Sequence, residues 1–263
     1  MRRLLDAHPE AACSGEGHYF DRLRPMLMEV FEKYQNLLNL DAKLVFSDKP
    51  VLGPLRHRHV NAMLRRFVLD RFAEHDPEGR ARAHGDKTPN NWKDIGNLLG
   101  AFPEAWILCI NRDPRDAAVS LFGHAKRRQL YKLDPEGPIN REQLIQAACS
   151  NWIGLNRSLR HLRSTYPERL VETRYEDLLA DTVGEYGRIC ARLGLSTETS
   201  ILQAAVDACD FSKMSGRQRG EKDQSSFFTS GTSGGWREAL SAAEADHIMT
   251  TCAEHLEHAG YSV

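Results

Sequence analysis

The chain has 263 residues, a length that suits one sizeable domain, and its 35 Lys and Arg nearly balance its 36 Asp and Glu, leaving a formal net charge of −1. This balance gives no reason to expect nucleic acid or an anionic membrane as a partner. No stretch approaches the roughly 18 apolar residues of a membrane span, and the N-terminus lacks the apolar core of a signal peptide. The six cysteines are widely spaced, without a C-x-x-C pair. We therefore expect a cytoplasmic protein with reduced, buried thiols, folded as a single domain over residues 1–263.

Helical spacing of apolar residues dominates the first third of the chain. Residues Met1–His8 suit the last two turns of a helix that stops before a proline. Residues Asp21–Leu40 and Val60–Phe72 carry apolar side chains at intervals of three and four, which predicts two amphipathic helices. The stretch Arg82–Lys87 is a short strand candidate.

The second part of the chain repeats the order strand, loop, helix. The unbroken apolar run Ala105–Ile110 predicts a strand buried on both faces of a parallel sheet, and Arg169–Arg174 is a weaker strand candidate. Helical patterns follow, at Arg141–Ser164, Val183–Leu193, Thr199–Ala208 and Ala242–His258. Repeated strand, loop and helix units predict an α/β fold with a parallel sheet flanked by helices. Residues 212–235, rich in Ser and Gly, form a long loop of the kind that is usually functional or disordered.

The segment 110–120, I-N-R-D-P-R-D-A-A-V-S, carries the most specific chemical signal. Pro114 suits the first position of a helix, so the strand should end beside Arg112 and the helix should begin at once. Free amides, the helix dipole and the Arg112 guanidinium would then favour an anion at this end. Ser120, two turns further on, could lend a hydroxyl. The alternative is that Arg112 merely pairs with Asp113 or Asp116 on a solvated turn.

This segment resembles the motif with which sulfotransferases that use 3′-phosphoadenosine 5′-phosphosulfate (PAPS) hold the 3′-phosphate of their nucleotide. The resemblance assigns that contact to Arg112 and Ser120. Residues 174–178, R-Y-E-D-L, resemble the segment of that family whose tyrosine lies near the adenine, which implies Tyr175. Residues 209–214 resemble the segment whose phenylalanine stacks on the base, which implies Phe211. Taken alone, Tyr175 and Phe211 could instead be ordinary packing residues.

Residues 228–236, F-T-S-G-T-S-G-G-W, align with the family's F-R-K-G-x-x-G-D-W loop over the 3′-phosphate. Thr229 and Ser230 stand where the family has an Arg-Lys pair, and Gly231 keeps the glycine. Backbone amides and two hydroxyls could still wrap a phosphate as a nest. The two missing charges predict weaker nucleotide binding, or compensation by other basic residues of the loop.

Two segments bear on the acceptor. Residues 85–89, G-D-K-T-P, resemble a segment of bacterial and tyrosylprotein-type sulfotransferases. The lysine of that segment stabilises charge on the sulfuryl group during transfer, and the resemblance assigns this role to Lys87. Residues 4–16, from L-L-D-A-H-P to the G-E pair, resemble the tyrosylprotein branch, whose glutamate is the general base; this assigns the base to Glu16, with a modestly raised pKa. The alternative for Lys87 is a solvated loop lysine.

The resemblance implies a P-loop-containing nucleotide hydrolase-like three-layer fold, sulfuryl transfer from PAPS to a hydroxyl acceptor, and no metal requirement. The family's first strand and its P-x-S-G-T-T loop, which wraps the 5′-phosphosulfate, are not found in this sequence. We expect either a start upstream of Met1 or a catalytically inactive relative that keeps only a 3′-phosphoadenosine-binding or scaffold role. A nucleotide kinase on the related fold would need a G-x-x-x-x-G-K-[ST] loop, which the sequence does not contain. The acceptor itself is not readable from the sequence.

Overall fold

The structure is a computed structural model that describes residues 1–47, 49, 52–133, 138–210, 212–213 and 232–261. It divides the chain into two compact units, residues 1–105 and residues 106–263. The single domain over 1–263 stays a prediction.

The first unit is mainly helical, with one pair of short strands. A π-helical turn, Tyr19–Leu23, leads directly into the second helix, and a 3₁₀ turn, Asn91–Asp94, leads into the fourth. In chain order the regular elements are α1 (Arg2–Asp6), β1 (Ala11–Ser14), α2 (Arg24–Val45), α3 (His57–His75), β2 (Ala83–Asp86) and α4 (Ile95–Ala101).

The strands β1 and β2 pair in parallel, with Ala11 opposite Ala83 and Ser14 opposite Asp86. The sequence predicted β2 but not β1. Parallel pairing places the carboxyl ends of both strands at the same edge. The residues that follow Ser14 and Asp86 therefore begin side by side.

A small apolar core holds the helices of this unit together. Phe20, Val60, Leu64 and Val68 are each at most 3% exposed, and they share one cluster. Three of them lie on α3 at intervals of four residues, the spacing of one helix face. The predicted amphipathic helix thus packs its apolar face against the turn that precedes α2.

The second unit contains two strands among many helices. Its regular elements are β3 (Ile107–Asn111), α5 (Pro114–Leu130), α6 (Arg141–Thr165), β4 (Leu170–Arg174), α7 (Tyr175–Ala180), α8 (Thr182–Leu193), α9 (Thr199–Ala208), α10 (Trp236–Ala239) and α11 (Ala242–Leu256). A core cluster joins α5, α6 and α11 and includes Phe122, Trp152, Ile248 and Leu256. The bounds of α6, α8, α9 and α11, the four helices of this unit that were predicted with both ends, agree with the sequence prediction to within two residues.

Strand β3 pairs in parallel with β4, Ile107 lying opposite Leu170 and Asn111 opposite Arg174. The prediction that this strand is buried on both faces is wrong: only Cys109 and Asn111 are buried. The described strands form two separate pairs, and within the described part of the chain β3 has a hydrogen-bonded neighbour along one edge only.

All six cysteines lie in the described part of the chain; none of them forms a disulfide bond, and five are buried. Burial raises the pKa of the Cys13 thiol to about 11 and that of Cys109 to about 12, so both stay protonated at neutral pH. In the described part of the chain no helix is long and apolar enough to cross a membrane. Over the same residues, no group of three His, Cys, Asp or Glu side chains is arranged to hold a metal ion.

Candidate active site

The junction between β3 and α5 is built as the sequence predicts, except at the helix amides. The strand ends at Asn111 and the helix begins at Pro114, with Asp113 as the N-cap. The amide of Arg115 is not free, however, because it donates to Asp113 Oδ1 at 2.8 Å, and the Arg115 guanidinium binds the same carboxylate. An anion at this end would therefore depend on side chains more than on helix amides.

Arg112 lies at the centre of a cluster of described groups in the second unit. Its guanidinium carbon is 4.6 Å from the centre of the Tyr175 ring, a distance at which a cation attracts an aromatic face. One terminal nitrogen donates to the Thr232 carbonyl at 3.0 Å and lies 3.7 Å from Asp116. Arg112 Nε is buried with no hydrogen-bond partner among the described residues. This buried donor suits an anion oxygen, since an unmet buried donor costs about 1–3 kcal/mol.

Asp116 holds the start of the C-terminal segment against α5, a role that the sequence analysis missed. Its side chain is only 1% exposed. Its carboxylate accepts hydrogen bonds from Gly234 N at 2.7 Å, Trp236 N at 3.0 Å and Ser233 Oγ at 3.3 Å. The sequence offered Asp116 only as a partner for Arg112 on a solvated turn. The pairing exists, but the carboxylate is buried rather than solvated.

The backbone on either side of Arg112 is fixed by neighbouring side chains. The Trp152 indole donates to the Arg112 carbonyl at 2.9 Å. Glu176 accepts from the Asp113 amide at 3.1 Å and from the Tyr261 hydroxyl at 2.8 Å. Burial, together with the bond to Glu176, raises the pKa of Tyr261, which keeps the hydroxyl protonated as a donor. Glu176 therefore joins the R-Y-E-D-L segment to the Arg112 segment.

The other predicted nucleotide contacts are less well placed or lie outside the described residues. Ser120 is exposed on α5, about 9 Å along the helix axis from Pro114. Its hydroxyl makes no hydrogen bond within the described part of the chain. Phe211 and the three residues Thr229, Ser230 and Gly231 lie outside the described residues.

In the first unit, the two predicted catalytic side chains meet. Lys87 Nζ donates to Glu16 Oε1 in an ion pair, and the two side chains are 42% and 40% exposed. The register of the strands explains the contact, because Ser14 and Asp86 are opposite one another where β1 and β2 end. Two segments 71 residues apart in sequence thus place a carboxylate and an ammonium group together.

A short hydrogen-bond network shapes the loop that carries Glu16. Asp86 accepts from the Gly17 amide and from Thr88 Oγ1, both at 2.8 Å. Thr88 Oγ1 in turn accepts from the His18 amide at 3.2 Å. His18 has a positive φ of 50°, and its Nε2 is 3.4 Å from Glu16 Oε2. His18 and Asp86, neither of which the sequence analysis assigned a role, therefore position the loop around Glu16.

The electrostatics of Glu16 differ from the expectation. Burial acts to raise its pKa, but the hydrogen bond and positive charge of Lys87, with a smaller contribution from His18, outweigh this effect and leave the pKa below its usual value. The expected modest rise in the pKa of Glu16 is therefore wrong. Glu16 is ionised at neutral pH and can accept a proton, but it is a weaker base than an isolated glutamate.

Solved structures of sulfotransferases and of retinol dehydratase share the fold of this chain. Retinol dehydratase in complex with androsterone and inactive cofactor PAP is 17% identical, with a TM-score of 0.56 over 100% of this chain and 87% of that one. The sulfotransferase domain of the Synechococcus olefin synthase is 18% identical, with a TM-score of 0.51 over 96% and 88%. Mouse sulfotransferase SULT7A1 with PAP is 17% identical, with a TM-score of 0.51 over 70% of each chain. These likenesses confirm the predicted α/β fold.

A sequence model described as the sulfotransferase family matches residues 1–199, about three quarters of the chain. Comparison with curated protein sequences finds no match. The region matched contains the Glu16, Lys87, Arg112 and Tyr175 segments on which the prediction rested. The predicted function, PAPS-dependent sulfuryl transfer, is confirmed at the level of the family. This chain belongs to the sulfotransferase family.

Proposed function

We propose that the transfer uses Glu16 as general base and Lys87 as the electrostatic stabiliser, with a hydroxyl group as acceptor. The supporting observation is the ion pair between these two side chains at the adjoining ends of β1 and β2. Both are about two fifths exposed, so both are accessible to ligands.

In the proposed reaction, Glu16 takes the proton of the acceptor hydroxyl while the acceptor oxygen forms a bond to sulfur. The bond between sulfur and the phosphate oxygen of the donor breaks, and its electron pair stays on the nucleotide. Lys87 neutralises charge on the sulfuryl oxygens during transfer, a contribution of the kind that fixed charges make in phosphoryl transfer. When Lys87 turns from Glu16 towards these oxygens, Glu16 loses the main group that lowers its pKa and becomes a stronger base.

In the second unit, we propose that Arg112 binds the 3′-phosphate of the nucleotide and that Tyr175 lies beside the base. The buried, unpartnered Arg112 Nε supports this role, as does the Tyr175 ring that already contacts the guanidinium. Ser120 would contribute its exposed hydroxyl. Phe211, Thr229, Ser230 and Gly231 keep the roles that the resemblance implies.

The proposed catalytic roles are tested by measuring transfer from PAPS to a panel of phenols and alcohols by mass spectrometry. We expect Glu16→Gln to lower kcat by about 10²–10⁴-fold and Lys87→Met by about 10²–10³-fold. The matched controls Glu29→Gln and Lys43→Met, on the exposed part of α2, should leave the rate unchanged. A Glu16→Gln enzyme with wild-type kcat would refute the role of the base.

The nucleotide role is tested separately, by calorimetric titration with PAP. Arg112→Lys keeps the charge but loses the planar fork that bonds to Thr232 and stacks on Tyr175. We expect its Kd for PAP to rise by about 10–100-fold, whereas Arg157→Lys, an exposed change on α6, should leave the Kd unchanged. Equal Kd values for wild type and Arg112→Lys would contradict the assignment.

We also propose that the protein works in the cytoplasm. Six cysteines that form no disulfide bond, five of them buried, suit a reducing compartment. Membership of the tyrosylprotein-like branch likewise stays a prediction, because the matching family model does not distinguish the branches of the family.

A further inference from the structure

An open pocket lies in the first unit, directly beside the loop that carries the proposed base. Its volume is about 390 Å³, within the range of small-molecule sites. Gly17 and His18, the two residues that follow Glu16, form part of its wall, and His18 Nε2 is 3.4 Å from Glu16 Oε2. A hydroxyl group at this wall would be near the proposed base.

Most of the remaining wall is apolar. It consists of the Tyr19 ring, Leu23, Met26 and Phe67, and the rings of Tyr19 and Phe67 meet edge to face at 6.1 Å. Met26 is 63% exposed and Phe67 is 46% exposed, so both present apolar surface that a ligand could cover. Burying such surface is worth roughly 25 cal/mol per Å². These walls suit a flat, aromatic or similarly apolar body.

The pocket also carries the positive charge of Arg22, which pairs with no described acidic side chain. Arg22 and Arg71 both line the pocket, and none of the described residues that line it is acidic. The acidic groups nearby are already engaged: Glu74 pairs with Arg71, and Asp21 with His18. The Arg22 guanidinium makes no hydrogen bond or ion pair to any residue that the structure describes. An anionic group on the ligand would pair with this exposed guanidinium.

We infer that the acceptor is a small hydroxy acid: an apolar, preferably aromatic body that carries the reacting hydroxyl and a carboxylate bound by Arg22. This inference rests on the proposed function, because it takes the pocket beside Glu16 as the acceptor site.

The test is equilibrium binding, which does not require turnover. The probes are 3-(4-hydroxyphenyl)propionate and its neutral carboxamide, titrated into the full chain with PAP present and followed by ligand-observed NMR. We expect the carboxylate to bind about 5–10-fold more tightly than the carboxamide. In Arg22→Gln this preference should fall to about twofold or less, whereas Arg66→Gln, an exposed α3 residue that pairs with Asp70, should keep it.

Three results would overturn the inference: equal affinity for the two probes, an unchanged preference in Arg22→Gln, or tighter binding of an acidic tyrosine peptide than of the small acid. Absence of binding by both probes would overturn it as well. None of these results removes the proposed function, which would still be supported by PAP binding and by transfer to a neutral phenol. Loss of transfer to every hydroxyl acceptor would instead refute the proposed function.

Discussion

Replacing Asp116 by asparagine tests whether this one carboxylate joins the C-terminal segment to α5. Its side chain is 1% exposed and accepts two backbone amides and one hydroxyl. Asparagine keeps the shape but has a single acceptor oxygen, and its NH₂ group would face one of the amides. At least one of these two half-buried amides, that of Gly234 or Trp236, would then have no acceptor.

The expected loss is about 3 kcal/mol. An unmet buried amide costs about 1–3 kcal/mol, and the remaining bonds lose the extra strength that a charged acceptor gives them. For a protein of this size, a loss of 3 kcal/mol corresponds to a fall in Tm of about 6–12 °C. The loss should be concentrated where the bonds are made, so the amides of Gly234 and Trp236 should exchange hydrogen faster than in the wild type.

Urea unfolding followed by tryptophan fluorescence gives the free energy, and hydrogen exchange gives the local effect. The control is Asp207→Asn on α9, an exposed carboxylate with one hydrogen bond, to Gln203, which should change stability by less than about 0.5 kcal/mol. If Asp116→Asn unfolds within about 0.5 kcal/mol of the wild type and its two amides exchange at the wild-type rate, the proposed role of Asp116 is refuted.

His18→Asn removes one of the groups that lower the pKa of Glu16, and asparagine tolerates the positive φ at this position. The acidic limb of the pH profile of kcat/KM should therefore move to higher pH. A limb that does not move would argue against Glu16 as the base. Gly234→Ala places a side chain at φ +82° and should lower the free energy of unfolding, measured by urea titration, by about 1–2 kcal/mol. The control Gly96→Ala replaces a helical glycine with open space around it and should be neutral or stabilising. The pKa of Glu244 is lowered to about 2, mainly by its hydrogen bond to Arg141, which is 45% exposed. The contribution of Glu244 to folding stability is therefore present above pH 4.5 and is lost as the pH falls towards 2. Glu244→Gln should therefore cost about 1 kcal/mol at pH 7 and flatten the acid dependence of the Tm, and an unchanged acid dependence would count against the assignment.

Local sequence determined the helices and the junction at Pro114. Apolar residues at intervals of three and four mark α3 and α6 directly, and a proline at the first helical position fixes where α5 begins. The short strand β1 was not predicted. The burial of β3 was overestimated because an apolar run does not show how many neighbours a strand has.

The motifs by themselves named Glu16, Lys87, Arg112 and Tyr175, because the residue types needed for a base, a charge and an aromatic contact are visible in sequence. Only the tertiary structure decided what these side chains contact. The register of β1 with β2 brings Lys87 to Glu16 and lowers the pKa of Glu16, and the burial of Asp116 turns an apparent surface acid into an anchor for the C-terminal segment. Such contacts join residues 70 or more positions apart, and local pattern carries no information about distances in space over that separation.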